Sequence, residues 1–381
     1  MYHIALNKEK KRLIESLKLF SVRFVMAVSN SMLLFFQKLL FRKSDNPKKI
    51  LIFRTGSLGD NLCAIPSMVA IKKKYPGAVI DILSNTGQSN LVSLKNLLDK
   101  NLYNSIIDYL GMEKKYLVKM LKGNKYDLVI QLPQTDAGFF RLLRDLFFFR
   151  YIAASGWGWQ FSTVRFFRRT QEKFMLFPNE TKRLADILES QGIAVEQQRY
   201  ELNFTEEDHI VVRERMAERK LEAGKKNIAL VVGAKRAQNR WSLANFKSVI
   251  EGIGNSYNFL IVGGPDDKDL AAPILSLPGV YDFCGSLTPV QSALLISKCV
   301  LTLSNDTGPM HLSYAVGTPV VALFSSRDFP GKWFPPESEK NKVFRTPGVS
   351  CSLCLSENCM NNICMQAIKT QAVIEAMKER L

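Results

Sequence analysis

The stretch Ser304-Asn305-Asp306-Thr307-Gly308-Pro309-Met310-His311 decides the reading of this chain, because apolar runs flank it on both sides. Before it, Cys299-Val300-Leu301-Thr302-Leu303 reads as a buried strand. After it come Leu312 to Val316, the turn Gly317-Thr318-Pro319, and a second apolar run, Val320-Val321-Ala322-Leu323-Phe324. Pro309 suits the first position of a helix, where its missing N–H costs nothing. The free N–H groups of that helix start point back toward Asp306 and Thr307 and make a place for phosphate. Strand, anion-binding turn, helix and strand in this order are how a doubly wound domain holds a nucleotide.

A matching unit lies near the front. Ile50-Leu51-Ile52-Phe53 is a short apolar strand, followed by Thr55-Gly56-Ser57-Leu58-Gly59-Asp60 and a helix-like run from Asn61 to Tyr75. The two glycines allow a tight turn and close approach of a ligand to backbone. The loop is neither a Walker loop nor G-x-G-x-x-G. The plain reading of Asp60 is a helix N-cap, and that of Asp306 an Asx-type turn.

Between and after these units, apolar runs at 79–83, 105–109, 128–132, 228–232 and 259–262 read as further strands. Helix-like stretches separate them, Thr181 to Gln191 and the tail from Gln371 to Leu381 among these. Alternation of this kind implies mainly parallel sheets. At 381 residues the chain is too long for one core. The expected division is a basic amphipathic extension at 1–47, α/β domains at 48–204 and 205–345, and a Cys-rich segment with a final helix at 346–381.

The net charge of +17 is concentrated in two places. Residues 1–49 carry 11 Lys and Arg against 3 acids, and residues 141–183 carry 9 against 3. The rest is nearly balanced, which argues against a general nucleic-acid coat and for two local anionic partners. In the first segment Leu13, Leu17, Phe20, Phe24 and Val28 recur at helical spacing between clusters of Lys and Arg. Only 14 residues between Arg23 and Lys38 lack charge. That is short of the about 20 a spanning helix needs, so a helix lying on an anionic membrane fits better. The alternative is an ordinary helix packed on the body. In the second segment aromatics alternate with arginines, among them Arg165, Arg168 and Arg169. Such a pattern serves single-stranded nucleic acid, or a phosphorylated sugar lipid gripped by Arg.

Four of the seven cysteines cluster: Cys351, Cys354, Cys359 and Cys364. They could hold a structural zinc or an iron–sulfur cluster, or close two disulfides. With three histidines in the chain, a catalytic metal is not expected.

The ordered set of motifs resembles glycosyltransferase family 9, the ADP-heptose:lipopolysaccharide heptosyltransferases, over about residues 49–381. The resemblance rests on Ile50 to Asp60 with Pro66 and Lys72-Lys73-Lys74-Tyr75-Pro76, on Gly233-Ala234 with Arg240-Trp241, and on Asp306 to His311 through Gly317 to Phe324. It implies a GT-B fold: two Rossmann-like α/β domains facing across a cleft, here with an amphipathic helical extension in front. It further implies inverting transfer of heptose or a related sugar, without a required cofactor or catalytic metal, from a nucleotide sugar (ADP-heptose) to an anionic glycolipid such as lipopolysaccharide core. The implied location is the cytoplasmic face of the inner membrane, in peripheral contact with it and without nucleic acid.

By motif position Asp60 corresponds to the general base, with Arg240 and Lys235 aiding the leaving diphosphate. Gly233, Asp267, Asp306, Thr307, Gly308, Pro309, Met310 and His311 would hold the donor. Gly56, Ser57, Gly59, Arg165, Arg168 and Arg169 would serve the acceptor. The chain departs from the family at two points. Asn239 stands where many members have Lys two residues before the Trp, and Ser325-Ser326 where Gly-Pro is usual after the last strand. The competing readings are a nucleotide-sugar epimerase on the same fold and a basic nucleic-acid-binding protein.

Overall fold

The computed structural model describes residues 2–85, 94, 97–170, 175–357 and 359–381, with side chains described from residue 13 onward and Arg169 in its backbone alone. The chain divides into two units, one made of Met1–Leu94 and Lys100–Glu196 and the other of Lys95–Asp99 and Gln197–Leu381.

The first unit contains α1 (Tyr2–Leu40), β1 (Lys49–Phe53), α2 (Leu58–Lys74), β2 (Val79–Ser84), β3 (Ser105–Asp108), α3 (Lys114–Gly123), β4 (Leu128–Gln131), α4 (Phe139–Ile152), β5 (Ser155–Trp157) and α5 (Glu180–Glu189). Its strands run in the order β3-β2-β1-β4-β5, all parallel. The second contains α6 (Glu206–Glu218), β6 (Lys226–Val231), α7 (Leu243–Ile253), β7 (Tyr257–Ile261), α8 (Lys268–Ala271), β8 (Val280–Asp282), α9 (Pro289–Ile296), β9 (Cys299–Asn305), α10 (Gly308–Ala315), β10 (Val320–Phe324), β11 (Lys342–Arg345), α11 (Ile363–Gln366) and α12 (Thr370–Lys378). Its order is β11-β10-β9-β6-β7-β8, again all parallel.

Both orders reverse direction at one junction, between β1 and β4 in the first sheet and between β6 and β9 in the second. Such a switch point opens a crevice beyond the carboxyl ends of the strands, where ligands of doubly wound folds bind. The loops carrying Asp60 and Asp306 emerge there, directly after β1 and β9. The apolar runs expected to be strands are all found, within one or two residues at their ends. The sequence reading missed β5, β8 and β11. These are edge strands of three or four residues with little apolar content, so they leave no run to read.

In the first unit Leu51, Val129, Leu142, Leu146 and Phe149 form the core on the α4 side of the sheet. The second half of α1 joins it. Leu33 is fully buried, and Met26, Phe36 and Leu40 pack against the same cluster. Asn30 locks the register: its amide donates to the Phe161 carbonyl at 2.7 Å and its oxygen accepts from the Phe161 N–H at 2.8 Å. Phe41 stacks on Trp159 at 4.8 Å. The extension is therefore a packed helix from Met26 onward, as the second reading expects, and an outward-facing one over residues 13–25.

In the second unit the C-terminal tail completes the core. Cys364, Met365, Ile368, Val373, Ile374 and Met377 pack with Trp241, Phe246 and Ile250. The packed half of α1 yields a prediction. Leu33→Ala should lower stability to denaturant by about 2–5 kcal/mol, the cost of a large-to-small change in a closed core. An unchanged midpoint would mean that α1 is not part of the first unit's core.

Candidate active site

The half-site in the first unit starts from the bend after β1. Gly56 takes φ +147°, and a Cβ there would overlap the Asp60 side chain, so only glycine fits. The carboxylate of Asp60 then folds back onto the helix start. Its Oδ2 accepts from the Ser57 N–H at 2.9 Å and from the Ser57 hydroxyl at 2.7 Å. Asp60 is thus not the N-cap itself, which is Ser57, but the third helical residue of a capping box. Its other oxygen, Oδ1, lies 3.8 Å from the Arg54 guanidinium. The Asp60 side chain keeps 15 % exposure, enough for a ligand to reach it. Gly59 is buried in the first turn of α2, and Ser57 is exposed beside it.

Arg54 is the residue that sequence reasoning missed. It is fully buried at the end of β1 and donates to the Asp60 carbonyl at 2.5 Å and to the carbonyls of Leu132 and Pro133. Glu180, equally buried, meets Arg54 at 3.3 Å and Arg183 at 2.7 Å. Burial pushes the Glu180 carboxyl up, but Arg183 and then Arg54 outweigh it and hold the group below the usual carboxylate range. Arg183 also bonds Ser162 at 3.1 Å. Through Ser162, and through Thr163 to Asp136 at 3.3 Å, the 3-10 turn Val164–Arg169, which follows β5, is held on the same carboxyl-end side of the sheet as Asp60, which follows β1. Arg165 pairs with Asp136 at 3.4 Å and stays exposed, as does Arg168. The Arg169 side chain lies outside the described residues.

The half-site in the second unit is built on Asn305, whose side chain is fully enclosed. Its oxygen accepts from the Trp241 N–H at 3.0 Å and its amide donates to the Val232 carbonyl at 2.8 Å. These bonds draw the loop after β6 against the end of β9. Asp306 follows, half-buried. Its Oδ2 accepts from Asn239 at 3.0 Å, and Asn239 in turn accepts from the Ser325 hydroxyl at 2.7 Å. The two positions that depart from the family pattern therefore contact each other.

Burial drives the Asp306 carboxyl up to about 7, with a further push from Asp328, against the pull of Arg236, Arg327 and Lys332. Arg327 and Lys332 escaped the sequence reading because no recurring pattern marks them. The available signal was two cations in the loop after a predicted strand end. Arg327 bonds Glu357 at 2.9 Å and the Ser356 carbonyl at 3.0 Å. Lys332, also buried, pairs with Asp328 at 3.5 Å.

Thr307 caps α10 in an extended conformation, and Gly308 and Pro309 open the helix. Met310 and His311 do not present their side chains to a ligand, contrary to expectation. Met310 is fully buried in a core with Val320 and Phe324. The His311 imidazole is enclosed, bonds the Tyr314 hydroxyl at 2.6 Å and is pushed down to about 4 by burial. Gly233 and Asp267 do meet: a Cβ at Gly233 would overlap the Asp267 carboxylate, which also accepts from the Gly264 N–H at 2.9 Å. Lys235 is exposed on the same loop. Arg240 is half-buried, its Nε donating to the Ala234 carbonyl at 2.9 Å.

The cysteine segment is not assembled as a metal shell. Among the described residues no three or more His, Cys, Asp or Glu side chains converge to hold an ion. None of the four thiols forms a disulfide among the described residues. Cys354 and Cys359 accept from the backbone N–H groups of Ser356 and Asn362, while Cys364 belongs to the core. The segment is held instead by backbone bonds, Leu353 to Ser326 at 2.8 Å and Leu355 to Arg327 at 3.1 Å.

The family model for glycosyltransferase family 9 (heptosyltransferase) matches residues 115–364, well over half of the chain. The chain belongs to glycosyltransferase family 9. Family 9 members among its relatives include lipopolysaccharide heptosyltransferase 3 of Escherichia coli, 25 % identical over 288 residues that make up 71 % of this chain and 81 % of that protein. Two solved structures share the fold. The family 9 glycosyl transferase of Veillonella parvula superposes with a TM-score of 0.68 at 19 % identity, over 88 % of this chain and 98 % of that one. The E. coli ADP-heptose lps heptosyltransferase II superposes at 0.60 and 20 %, over 87 % and 98 %. The fold is GT-B, and the protein is a glycosyltransferase of the heptosyltransferase kind.

The raised Asp306 makes stability depend on pH with a definite sign. Well below its ordinary value of 3.8, the group is protonated in both folded and unfolded chains. As pH rises from its ordinary 3.8 toward about 7 the unfolded chain ionises first. Stability then falls across that window, by up to about 1.4 kcal/mol per pH unit. Asp306→Asn removes this loss, so the variant should gain on wild type between pH 5 and pH 7 in denaturant titrations. A stability difference independent of pH would contradict the burial of Asp306.

Proposed function

We propose that this enzyme transfers heptose, with inversion, from ADP-heptose to a lipopolysaccharide core or similar anionic glycolipid, and that it needs no metal. The observation that carries the reading is the second unit's switch-point loop. There a carboxylate, Asp306, stands beside the start of α10, with Gly233 just past the end of the neighbouring β6 and Asp267, from the turn after β7, against Gly233. That combination suits a sugar joined to a nucleoside diphosphate: N–H groups of the helix start for the phosphates, carboxylates for hydroxyl groups. The similarity to an ADP-heptose lps heptosyltransferase and to a lipopolysaccharide heptosyltransferase supports the same donor and acceptor.

In this mechanism the acceptor sits on the first unit, along Gly56, Ser57 and Gly59, with Arg165 and Arg168 toward its phosphates or acidic sugars. Asp60 takes the proton of the attacking hydroxyl. The Ser57 bonds hold the carboxylate in place, and Arg54 carries a compensating positive charge. The hydroxyl oxygen attacks the anomeric carbon from the face opposite the diphosphate, which leaves as ADP. Thr307, Gly308 and Pro309 at the helix start, with Lys235 and Arg240, stabilise the charge developing on the leaving group. Cationic side chains and a helix dipole take the part that a metal plays elsewhere. The acceptor is anchored in lipid, so the enzyme works in peripheral contact with the cytoplasmic face of the inner membrane, through the N-terminal extension.

Two substitutions test the division of labour. Asp60→Asn should lower kcat by a factor of at least about 100, the usual weight of a general base, while ADP binds as in wild type. A variant with near-normal kcat would return Asp60 to a capping role alone. Asp306→Ala should weaken donor affinity by about 1–3 kcal/mol, the loss of one charged hydrogen bond, and leave the acceptor KM unchanged. Equal weakening of both substrates would overturn the assignment of donor and acceptor to separate units.

A further inference from the structure

The segment rich in aromatics and arginines is not a separate feature from α1. Its rings continue the surface of that helix. Phe36 of α1 meets Phe147 of α4 at 5.7 Å. Asn30 of α1 bonds the backbone of Phe161, and Phe161 lies 5.8 Å from Phe166 and 6.3 Å from Phe139, which contacts Phe140. The outward side of this assembly carries large apolar groups in the open. Phe140 is 82 % exposed, Phe20 67 % and Phe35 61 %, and Leu39, Phe24, Phe147 and Tyr151 are exposed as well. An apolar face of this extent on a soluble surface marks an interaction site.

Charge identifies the occupant. From residue 13 to residue 43 stand Lys18, Arg23, Lys38, Arg42 and Lys43 against Glu15 alone. On α4 Arg144 and Arg150 are exposed, while the acid between them, Asp145, is buried. Apolar rings flanked by cations and few exposed acids match an anionic phospholipid surface, where each Lys or Arg near the headgroups adds about 1 kcal/mol.

The docking of α1 settles how far it can enter. Leu13–Leu40 is long and apolar enough to cross a membrane by length and composition. Its second half is fixed to the body by Asn30 and Leu33, however, which leaves residues 13–25 outside the packed part. The helix also runs back to Tyr2, but Lys8, Glu9, Lys10, Lys11 and Arg12 charge that start. The apolar part of the stretch is therefore residues 13–25, about 20 Å at 1.5 Å per residue against about 30 Å of hydrocarbon.

We infer that α1, α4 and the 3-10 turn after β5 form one membrane-docking face that lies on an anionic bilayer without crossing it, with α4 rings inserted beside those of α1. The inference rests on the proposed membrane location and adds α4 to it. The face therefore has two legs, and two legs fix an orientation where a single helix would leave the body free to swivel about it.

Flotation of the full chain with phosphatidylcholine vesicles, with and without phosphatidylglycerol, tests this. Wild type should bind the anionic vesicles and bind neutral ones weakly. Phe140→Ser with Phe147→Ser on α4 should lower the partition coefficient roughly tenfold, as expected for withdrawing two aromatic side chains from the interface. Phe20→Ser with Phe24→Ser on α1 should do the same, and its residues make no contact with the core, so folding is not at issue. Melting curves and ADP binding show whether the α4 variant is folded, and Phe140→Ser alone serves if it is not. Full binding by the folded α4 variants would overturn the two-leg face and leave contact through α1 standing. Failure of wild type to bind anionic vesicles would remove the membrane reading altogether. A wild type that pairs in solution through α1 and ignores vesicles would assign the face to a second copy of the chain instead.

Discussion

Asp306 accepts a hydrogen bond from Asn239 at a half-buried position, and the loops at the switch point of the second sheet are arranged around that carboxylate. Burial alone would drive the proton onto it. Three cations within electrostatic reach, Arg236, Arg327 and Lys332, resist this, and Asp328 works against them. The outcome is a group that holds its proton more tightly than an ordinary carboxyl does. Asn239 holds the side chain in place through its bond to Ser325 without fixing its charge. A lysine at position 239 would have held it ionised.

The first unit solves the opposite problem. There the buried charge is a cation, Arg54, and the enclosed Glu180 neutralises it. A pair of this kind is seldom a source of stability, since both ions give up their hydration. What it supplies is position. Arg54 ties the end of β1 to the Asp60 carbonyl and to the loop after β4, and Arg183 extends the tie to Ser162. The loops that meet at the switch point of the sheet are thereby held in one arrangement about the Asp60 carboxylate.

Much of this was legible in the sequence because parallel strands buried on both faces write themselves as apolar runs. Val320–Phe324 is read to the residue. The functional loops were legible for the same reason, since they follow those runs at once. What escaped was of two kinds. Edge strands such as Ser155–Trp157 and Val280–Asp282 are too short to form a run. Charges buried by tertiary contact, Arg54, Glu180, Arg327 and Lys332, look in a sequence like any solvated charge. Met310 and His311 erred the other way: they belong to the motif by order, yet the helical turn aims them into the core. The four clustered cysteines left a metal, an iron–sulfur cluster or two disulfides open, but the chain around them turns on backbone bonds to Ser326 and Arg327, with Cys364 drawn into the apolar core.

The central claim, inverting transfer of heptose from ADP-heptose, meets its most direct test in the product. The purified enzyme would be given ADP-heptose and a lipid-linked core acceptor, and the product's mass and anomeric configuration determined by mass spectrometry and NMR. The account predicts acceptor enlarged by one heptose, joined with the anomeric configuration opposite to that of the donor, and release of one ADP per transfer. Retention of configuration, or an altered nucleotide sugar with no transfer to the acceptor, would contradict it.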